Sequence, residues 1–252
     1  MNIVSAQRRP GTRRGYARGE ETRARIVAAA LRIFGEHGFD QASTRLIAAA
    51  AAVNPPALQY YFGGKEGLHR ACAQFIIDRA TAILSPALAQ AARAIGDRNR
   101  GQALAALYGL IDALAAGLAE SGAESWRRFI ARGKADGAGP AMPMIRECIG
   151  LPLIEVTTKL VGFALGQSED GERNRLRALA LLAPVNWIHA NRDNTLVLMG
   201  WGELDAQRLE LIREVVHEQA ARALGDIPAP RASRRTAAAP RRRQARSSQR
   251  RP

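Results

Sequence analysis

The chain has 252 residues, of which 47% are hydrophobic and 5% aromatic, and its formal net charge is +14. This length provides one or two domains with a substantial core. No run of 18 apolar residues predicts a membrane span, and no alternating Val, Ile, Thr and Tyr runs predict a sheet. Ala, Leu and Arg are abundant instead. We therefore expect an all-α fold.

The positive charge is concentrated at the two ends of the chain. Residues 1–19 contain five arginines and no acid, and residues 226–252 contain nine arginines and one aspartate. Residues 20–225 are nearly neutral, with 23 basic and 22 acidic residues. Both ends are poor in large apolar side chains, so we expect a disordered basic arm and a disordered Arg-rich tail. Basic segments of this kind bind nucleic-acid phosphates.

Nothing in the sequence predicts export or metal binding. Arg13-Arg14 is followed by a segment interrupted by charges, which is unlike an export signal. Cys72 and Cys148 lie far apart without ligand spacing, which is typical of two reduced thiols. Catalytic and nucleotide-binding motifs are also absent, so we expect a cytoplasmic protein that is not an enzyme and has no cofactor.

The first helix is predicted from Glu21 to Glu36, with Gly38 just after its end. The stretch that follows, Ala42 to Leu68, predicts two short helices about a tight turn. Ser43 or Thr44 can cap the first of them, and Asn54 can cap the second, which has Pro55 at its first position. Gly63-Gly64 ends this second helix. The spacing fits a helix-turn-helix.

The same region resembles the N-terminal domain of TetR-family transcriptional regulators, without gaps from about Glu20 to Leu68. The residues that carry the resemblance are Thr22-Arg23-x-Arg25-Ile26, Phe34-x-x-x-Gly38-Phe39, Thr44-x-x-x-Ile47-Ala48, Val53-Asn54 and Leu58-x-Tyr60-Tyr61-Phe62-Gly63-x-Lys65-Glu66-x-Leu68. The resemblance implies a dimeric regulator, usually a repressor, that binds a palindromic double-stranded DNA operator and responds to a small-molecule effector.

The resemblance also indicates which residues contact DNA. Gln59 carries an amide suited to adenine, whereas Tyr60, Tyr61 and Lys65 match family positions that hold phosphates. Adjacent tyrosines cannot both face the groove, so one should be partly buried. Pro55-Pro56 departs from the family pattern and predicts a different base preference. The predicted set is Thr22, Arg23, Arg25, Thr44, Arg45, Asn54, Pro55, Pro56, Ala57, Gln59, Tyr60, Tyr61 and Lys65.

Helical patterns continue through the rest of the chain. We predict helices over Lys65–Leu84, Arg100–Glu120, Ser121–Lys134, Met144–Gly166, Glu169–Ala190 and Asp205–Leu224. Pro86 should end the first of them, and Pro152 should kink the fourth. A glycine-rich break at Asp136–Pro143 and a loop at Asn191–Leu204 interrupt the pattern. The segment Trp187 to Leu224 is similar to the C-terminal domain of CecR-like members of the family.

These patterns predict four segments: the arm (1–19), a DNA-binding domain (20–66), an effector-binding and dimerisation domain (67–225) and the tail (226–252). Apolar side chains of the last two helices predict the dimer interface: Leu176, Leu179, Leu182, Leu209, Ile212, Val215 and Val216. The candidates for an effector pocket are Trp126, Phe129, Met142, Met144, Phe163, Trp187 and His189.

One alternative function remains open at this point. The chain can also be an architectural or RNA-binding helical protein whose arginine-rich ends, rather than its helix-turn-helix, supply the affinity. A large, nearly neutral second domain favours the ligand-responsive regulator, because an architectural protein has no need of it.

Overall fold

The computed structural model describes residues 11–120, 122–167 and 171–225. All regular secondary structure within these ranges is helical, which confirms the all-α prediction. The α-helices are α1 (Gly11–Gln41), α2 (Thr44–Ala50), α3 (Pro55–Phe62), α4 (Lys65–Asp97), α5 (Arg100–Ala116), α6 (Ala123–Asp136), α7 (Ala141–Ile145), α8 (Leu151–Ala164), α9 (Glu172–Ala190), α10 (Arg192–Met199) and α11 (Ala206–Ala223).

Local signals set the boundaries of α2 and α3 as predicted. The hydroxyl of Ser43 accepts a hydrogen bond from the backbone N–H of Leu46 at 3.1 Å and so caps α2. Asn54 occupies the N-cap position of α3, although its side chain makes no capping hydrogen bond. Gly63 ends α3 in the left-handed conformation with φ of 69°. The helix-turn-helix therefore lies where the sequence predicts it.

The first helix starts earlier than predicted. It begins at Gly11 rather than Glu21, so residues 11–19 are helical and the prediction of a disordered arm is wrong for them. Extending a helix that is already stabilised by packing requires no new nucleus, which is why a weakly apolar segment can continue it. Residues 1–10 and the tail at 226–252 lie outside the described residues.

The predicted end of α4 at Pro86 is also wrong, because the helix continues to Asp97. A proline inside a helix removes one hydrogen bond and costs about 3 kcal/mol. The turns beyond it bury Ala87, Ala91 and Ala94 in the core of the larger domain, and this packing offsets the cost. The tertiary contacts of α4 thus override its local sequence signal.

Two other segments differ from their predictions. The predicted loop at Asn191–Leu204 contains the helix α10, over which Thr195 is buried. The predicted helix from Met144 contains a π-helical turn over Arg146–Gly150, which precedes α8. Pro152 therefore lies in the first turn of α8. Proline is tolerated there because the first helical N–H groups have no partner within the helix.

The core of the larger domain is formed mainly by α4, α5, α8, α9 and α11. Its central helix, Arg100–Ala119 including a terminal 3₁₀ turn, has a mean hydropathy of 1.5 over an 18-residue window. Length and composition alone would allow such a helix to cross a membrane. Half of this apolar stretch is buried inside the protein, and Leu107, Leu110 and Ile111 pack in the core. Burial among other helices accounts for its apolar character.

A second buried cluster lies under the helix-turn-helix. It contains Ile26, Ile47, Leu58 and Leu68 from α1–α4 and also Phe129 from α6. We call this group of side chains the N-terminal cluster. Because it includes Phe129, the larger domain contributes to the core of the DNA-binding region.

The contact between α1 and α6 depends on two glycines. A Cβ atom at Gly35 would lie 3.0 Å from the backbone nitrogen of Phe129, and one at Gly38 would overlap the carboxylate of Asp136. The backbone of Gly38, with φ of 77° and ψ of 175°, also departs from the helix. The glycines therefore let α6 approach α1 closely.

Candidate DNA interface and ligand cavity

Helix α3 has one buried side and one exposed polar side. Leu58 is buried in the N-terminal cluster and fixes the helix, whereas Gln59 and Tyr60 are exposed. The Tyr60 side chain is 84% exposed, and Tyr61 packs partly against the cluster. The two rings meet edge to face at 5.1 Å. This arrangement agrees with the expectation that only one of the two tyrosines faces solvent fully.

Two cations are positioned by aromatic rings beside α3. The Lys65 ammonium donates to the backbone carbonyl of Asp40 at 3.0 Å and lies 4.8 Å from the centre of the Phe39 ring. The Arg23 guanidinium lies 5.4 Å from the centre of the Phe62 ring. A cation–π contact is an attraction between the positive charge and the face of the ring. It leaves N–H donors of the cation available for other partners. Both cations therefore lie near the C-terminal end of α3 with N–H donors available.

The other predicted DNA-contacting residues are distributed around this helix. Arg25, Arg45, Asn54, Pro55 and Pro56 are exposed. Among the described residues, no carboxylate forms an ion pair with either arginine. Exposed cations without carboxylate partners are suited to phosphate binding.

Three of the predicted positions are less free. Thr44 and Ala57 are half-buried. The hydroxyl of Thr22 donates to the carbonyl of Arg18 at 2.9 Å, so its proton is used within α1. The Thr22 hydroxyl can therefore act only as an acceptor. A phosphate oxygen is itself an acceptor and needs a donor.

A cavity of about 170 Å³ lies between α4, α5, α6 and α9. Its walls are mainly apolar, with Ile83, Leu114 and Ile130 among them. Of the predicted pocket residues, Trp126 and His189 line this cavity, and their rings lie 6.4 Å apart. This cavity is partly open to solvent.

The other five predicted pocket residues lie elsewhere. Phe129 is in the N-terminal cluster, against the ring of His69, and Met142 and Met144 pack beside the same cluster. Phe163 lies under the guanidinium of Arg98, and Trp187 is about half exposed on α9. Large apolar side chains occur in cores and on surfaces as well as in pockets, so residue type alone could not assign them.

The polar groups of the cavity were missed by the sequence prediction. They are Arg79, Glu120, Arg127, Lys134 and Asn186. Arg79 forms an ion pair with Glu120. The spacing of Arg127, Ile130 and Lys134 at i, i+3 and i+7 places them on one face of α6 and was the available signal.

Two histidines are held neutral. Burial and, to a smaller extent, the charge of Lys65 together lower the pKa of His69 to about 4. Its ring is packed between Phe34, Phe39 and Phe129.

The second histidine, His189, is half-buried and lines the cavity. Burial also lowers the pKa of His189, against the effect of a hydrogen bond of 2.9 Å between its Nε2 atom and the carbonyl of Leu114. Neutral His189 therefore donates from Nε2 and adds no charge to the cavity.

The fold and the exposed helix define the class of protein, a helix-turn-helix transcriptional regulator. Residues 26–72 match the model for bacterial regulatory proteins of the tetR family, and residues 103–227 match the C-terminal domain of the HTH-type transcriptional dual regulator CecR. The chain is 30% identical over 205 residues to CecR of Shigella flexneri, covering 79% of this chain and 89% of that protein. The chain belongs to the TetR family.

Other similarities support the fold. RaaS of Mycobacterium tuberculosis is 42% identical over 65 residues, which cover 26% of this chain and 30% of RaaS. AibR, solved in complex with isovaleryl coenzyme A and operator DNA, has a TM-score of 0.55 at 17% identity, covering 79% of this chain and 97% of that one. A regulator from Rhodococcus sp. Rha1 has a TM-score of 0.55 at 19% identity, covering 79% and 96%.

Proposed function

We propose that this protein is a dimeric repressor that leaves a palindromic operator when a small molecule occupies the cavity. The carrying observation is the path of α4. The helix begins at Lys65, beside α3, and supplies Ile76, Arg79 and Leu84 to the cavity. At 1.5 Å per residue, about 28 Å of one helix joins Lys65 to Leu84.

Helix α6 supplies a second connection between the cavity and the DNA-binding region. Trp126 and Arg127 line the cavity from this helix, whereas Phe129 on the same helix lies in the N-terminal cluster. A ligand that shifts α6 must therefore also shift its contact with α1 at Gly35. Both connections support a mechanism in which the cavity and α3 move together.

Exposed apolar side chains support the dimer. Leu176, Leu179 and Val215 are exposed, as the predicted interface requires. Leu182, Ile212 and Val216 are instead buried within the same subunit, and Leu209 packs partly against that core. The exposed set also includes Trp187, Val197, Leu198, Met199 and Leu211. Apolar groups grouped on the last three helices favour association with a second copy.

The operator response follows from dimer geometry. The two α3 helices must enter successive major grooves, roughly 34–36 Å apart. A tilt of each α4 changes that separation, and stiff DNA follows only at a cost in free energy. A ligand that fits only the tilted state then weakens operator binding by its differential affinity, typically about 1–3 kcal/mol.

Two relatives support this assignment. AibR was solved with both a small molecule and operator DNA, and CecR is named a transcriptional dual regulator. A repressor of this kind acts in the cytoplasm, where its operator is. The basic segments 1–19 and 226–252 would add sequence-independent phosphate contacts.

The test begins with selection of DNA sites from a random pool by the full-length protein. We expect an inverted repeat with half-sites about one duplex turn apart. Sequence-blind binding that disappears when residues 1–19 and 226–252 are removed would support the architectural alternative instead. With a cognate ligand, titration with and without the operator must give different ligand affinities, since coupling is reciprocal. Equal affinities would exclude the proposed release.

A further inference from the structure

The side chain of Arg127 is an unusual feature of the cavity. It is only 9% exposed, and its Nε and Nη1 atoms are buried without a hydrogen-bond partner. Its one described polar contact is from Nη2 to Glu124 Oε2, at 3.4 Å. Buried guanidinium donors are nearly always satisfied in folded proteins. Two unpaired donors on the wall of a cavity therefore favour an acceptor bound within it.

The charges around the cavity favour the same conclusion. Arg79, Arg127 and Lys134 line it, and Glu120 is the single carboxylate among its described lining residues. Glu120 is already paired with Arg79. Burial lowers the pKa of Arg127, and the nearby charge of Arg192 lowers it further, whereas Glu124 opposes the shift. The positive charge is thus incompletely balanced, and an anion in the cavity would be stabilised.

The rest of the cavity defines the uncharged part of the ligand. Ile76, Ile83, Leu114, Trp126 and Ile130 provide apolar walls. The volume of about 170 Å³ is close to that of an engineered cavity of about 150 Å³ that accepts benzene. The walls therefore accept an apolar body about as large as a benzene ring or a short branched chain.

We propose that Arg127 anchors a small organic monocarboxylate in this cavity, an inference that rests on the proposed ligand response. The planar guanidinium can hold a carboxylate bidentately through its two terminal amino groups, because Nη1 is unpaired and Nη2 has a second hydrogen beside the one directed at Glu124. The apolar body of the acid then lies between α4, α5 and α6. The acid, rather than a larger conjugate that carries its charge on phosphates, is the ligand.

The experiment measures direct binding to the full-length protein without DNA. The probes are phenylacetate, 3-phenylpropionate and isovalerate, the matching neutral amides, and isovaleryl coenzyme A as the phosphate-bearing source. Calorimetry gives affinities, and Trp126 in the cavity wall gives a fluorescence signal. We expect at least one acid to bind and its amide to bind at least tenfold more weakly.

Arg127→Met tests the anchor, because it removes the charge and keeps an apolar side chain of similar length. It should weaken binding of the acid by roughly 10- to 100-fold and leave the amide unchanged, as expected for loss of a charge-assisted hydrogen bond. The matched control is Arg128→Met. Arg128 also pairs with Glu124, at 2.7 Å, but it is exposed and does not line the cavity. This control should bind the acid like the wild type.

Ligand-free stability separates anchoring from a structural role. Since two donors of Arg127 are unpaired, the melting temperature of Arg127→Met should equal or exceed that of the wild type. If Arg127→Met does not fold, Arg127 has a structural role and the proposal is wrong. Arg127→Lys retains the charge without the bidentate geometry and should bind the acid with intermediate affinity.

Four further outcomes would overturn the proposal. None of the acids binds, an acid and its amide bind equally, only the coenzyme A thioester binds, or Arg128→Met has the same effect as Arg127→Met. The proposed function fails separately. Operator binding by a chain that ignores every acid overturns only the carboxylate assignment, whereas acid binding by a chain that selects no operator overturns only the regulatory mechanism.

Discussion

Replacing Gly67 with alanine tests how closely α3 and α4 are joined. Gly67 lies in the first turn of α4, and a Cβ atom there would overlap the carbonyl oxygen of Phe62 and lie 3.0 Å from its carbonyl carbon. Ordinary carbon contacts are about 3.5–4.0 Å. The last turn of α3 must therefore move away from α4 by at least about half an ångström.

Two opposing effects set the magnitude. Alanine is favoured over glycine inside a helix by about 1 kcal/mol. Overpacking costs about 1–3 kcal/mol, and the Phe62 contact belongs at the upper end because a backbone atom cannot rotate away. We expect Gly67→Ala to lower the free energy of unfolding by roughly 1–2 kcal/mol. It should also displace α3 and weaken operator binding.

Gly96→Ala is the matched control in the same helix. Gly96 is exposed, and a Cβ atom there would have no neighbour within 4 Å. Only the helix propensity changes, so this variant should be as stable as the wild type or up to about 1 kcal/mol more stable. Thermal unfolding and fluorescence anisotropy with labelled operator measure both effects. A Gly67→Ala protein with unchanged stability and operator affinity would refute the reasoning.

Gln59→Ala should relax base choice at one operator position by about 1–3 kcal/mol, measured by repeating the site selection. Lys65→Ala should weaken binding to all sequences and reduce the salt slope by about one per half-site. Leu179→Arg places a charge in the exposed apolar surface of α9 and should give a monomer by sedimentation, with loss of operator binding. Neutral, buried His69 has a pKa of about 4 against 6.5 for the free side chain, so the unfolded chain binds the proton more tightly. The free energy of unfolding should therefore be fully retained above pH 6.5 and fall by up to about 3 kcal/mol as the pH is lowered to 4.

Each of these predictions has a control. An unchanged selected motif for Gln59→Ala would contradict base reading, and the melting temperature of Lys65→Ala corrects for its lost contact with Asp40. Leu151→Arg, at an exposed leucine of α8, should remain dimeric. His69→Phe preserves an aromatic ring among the phenylalanines and should flatten the pH dependence. An equally steep dependence in this variant would show that other groups cause it.

The sequence predicted features that depend on neighbouring residues. Ser43 as a helix cap, Gly63 as a helix end and the exposure of Gln59 all follow from signals a few residues long. The continuation of α4 through Pro86 could not be predicted, because the stabilising contacts come from helices far away in the chain. The unpaired donors of Arg127 could not be predicted either, because they depend on how four helices pack around the cavity.

The N-terminal cluster has a consequence for modularity. A chimaera of two such regulators joins the DNA-binding region of one protein to the larger domain of another. Here a cut after α3 or early in α4 would remove Phe129, which is buried in the N-terminal cluster. Loss of a buried phenylalanine costs about 3–5 kcal/mol, a large part of the stability of a small domain. A functional chimaera must therefore include the α6 surface that packs on α1. The DNA-binding region and this part of the larger domain have to be transferred together.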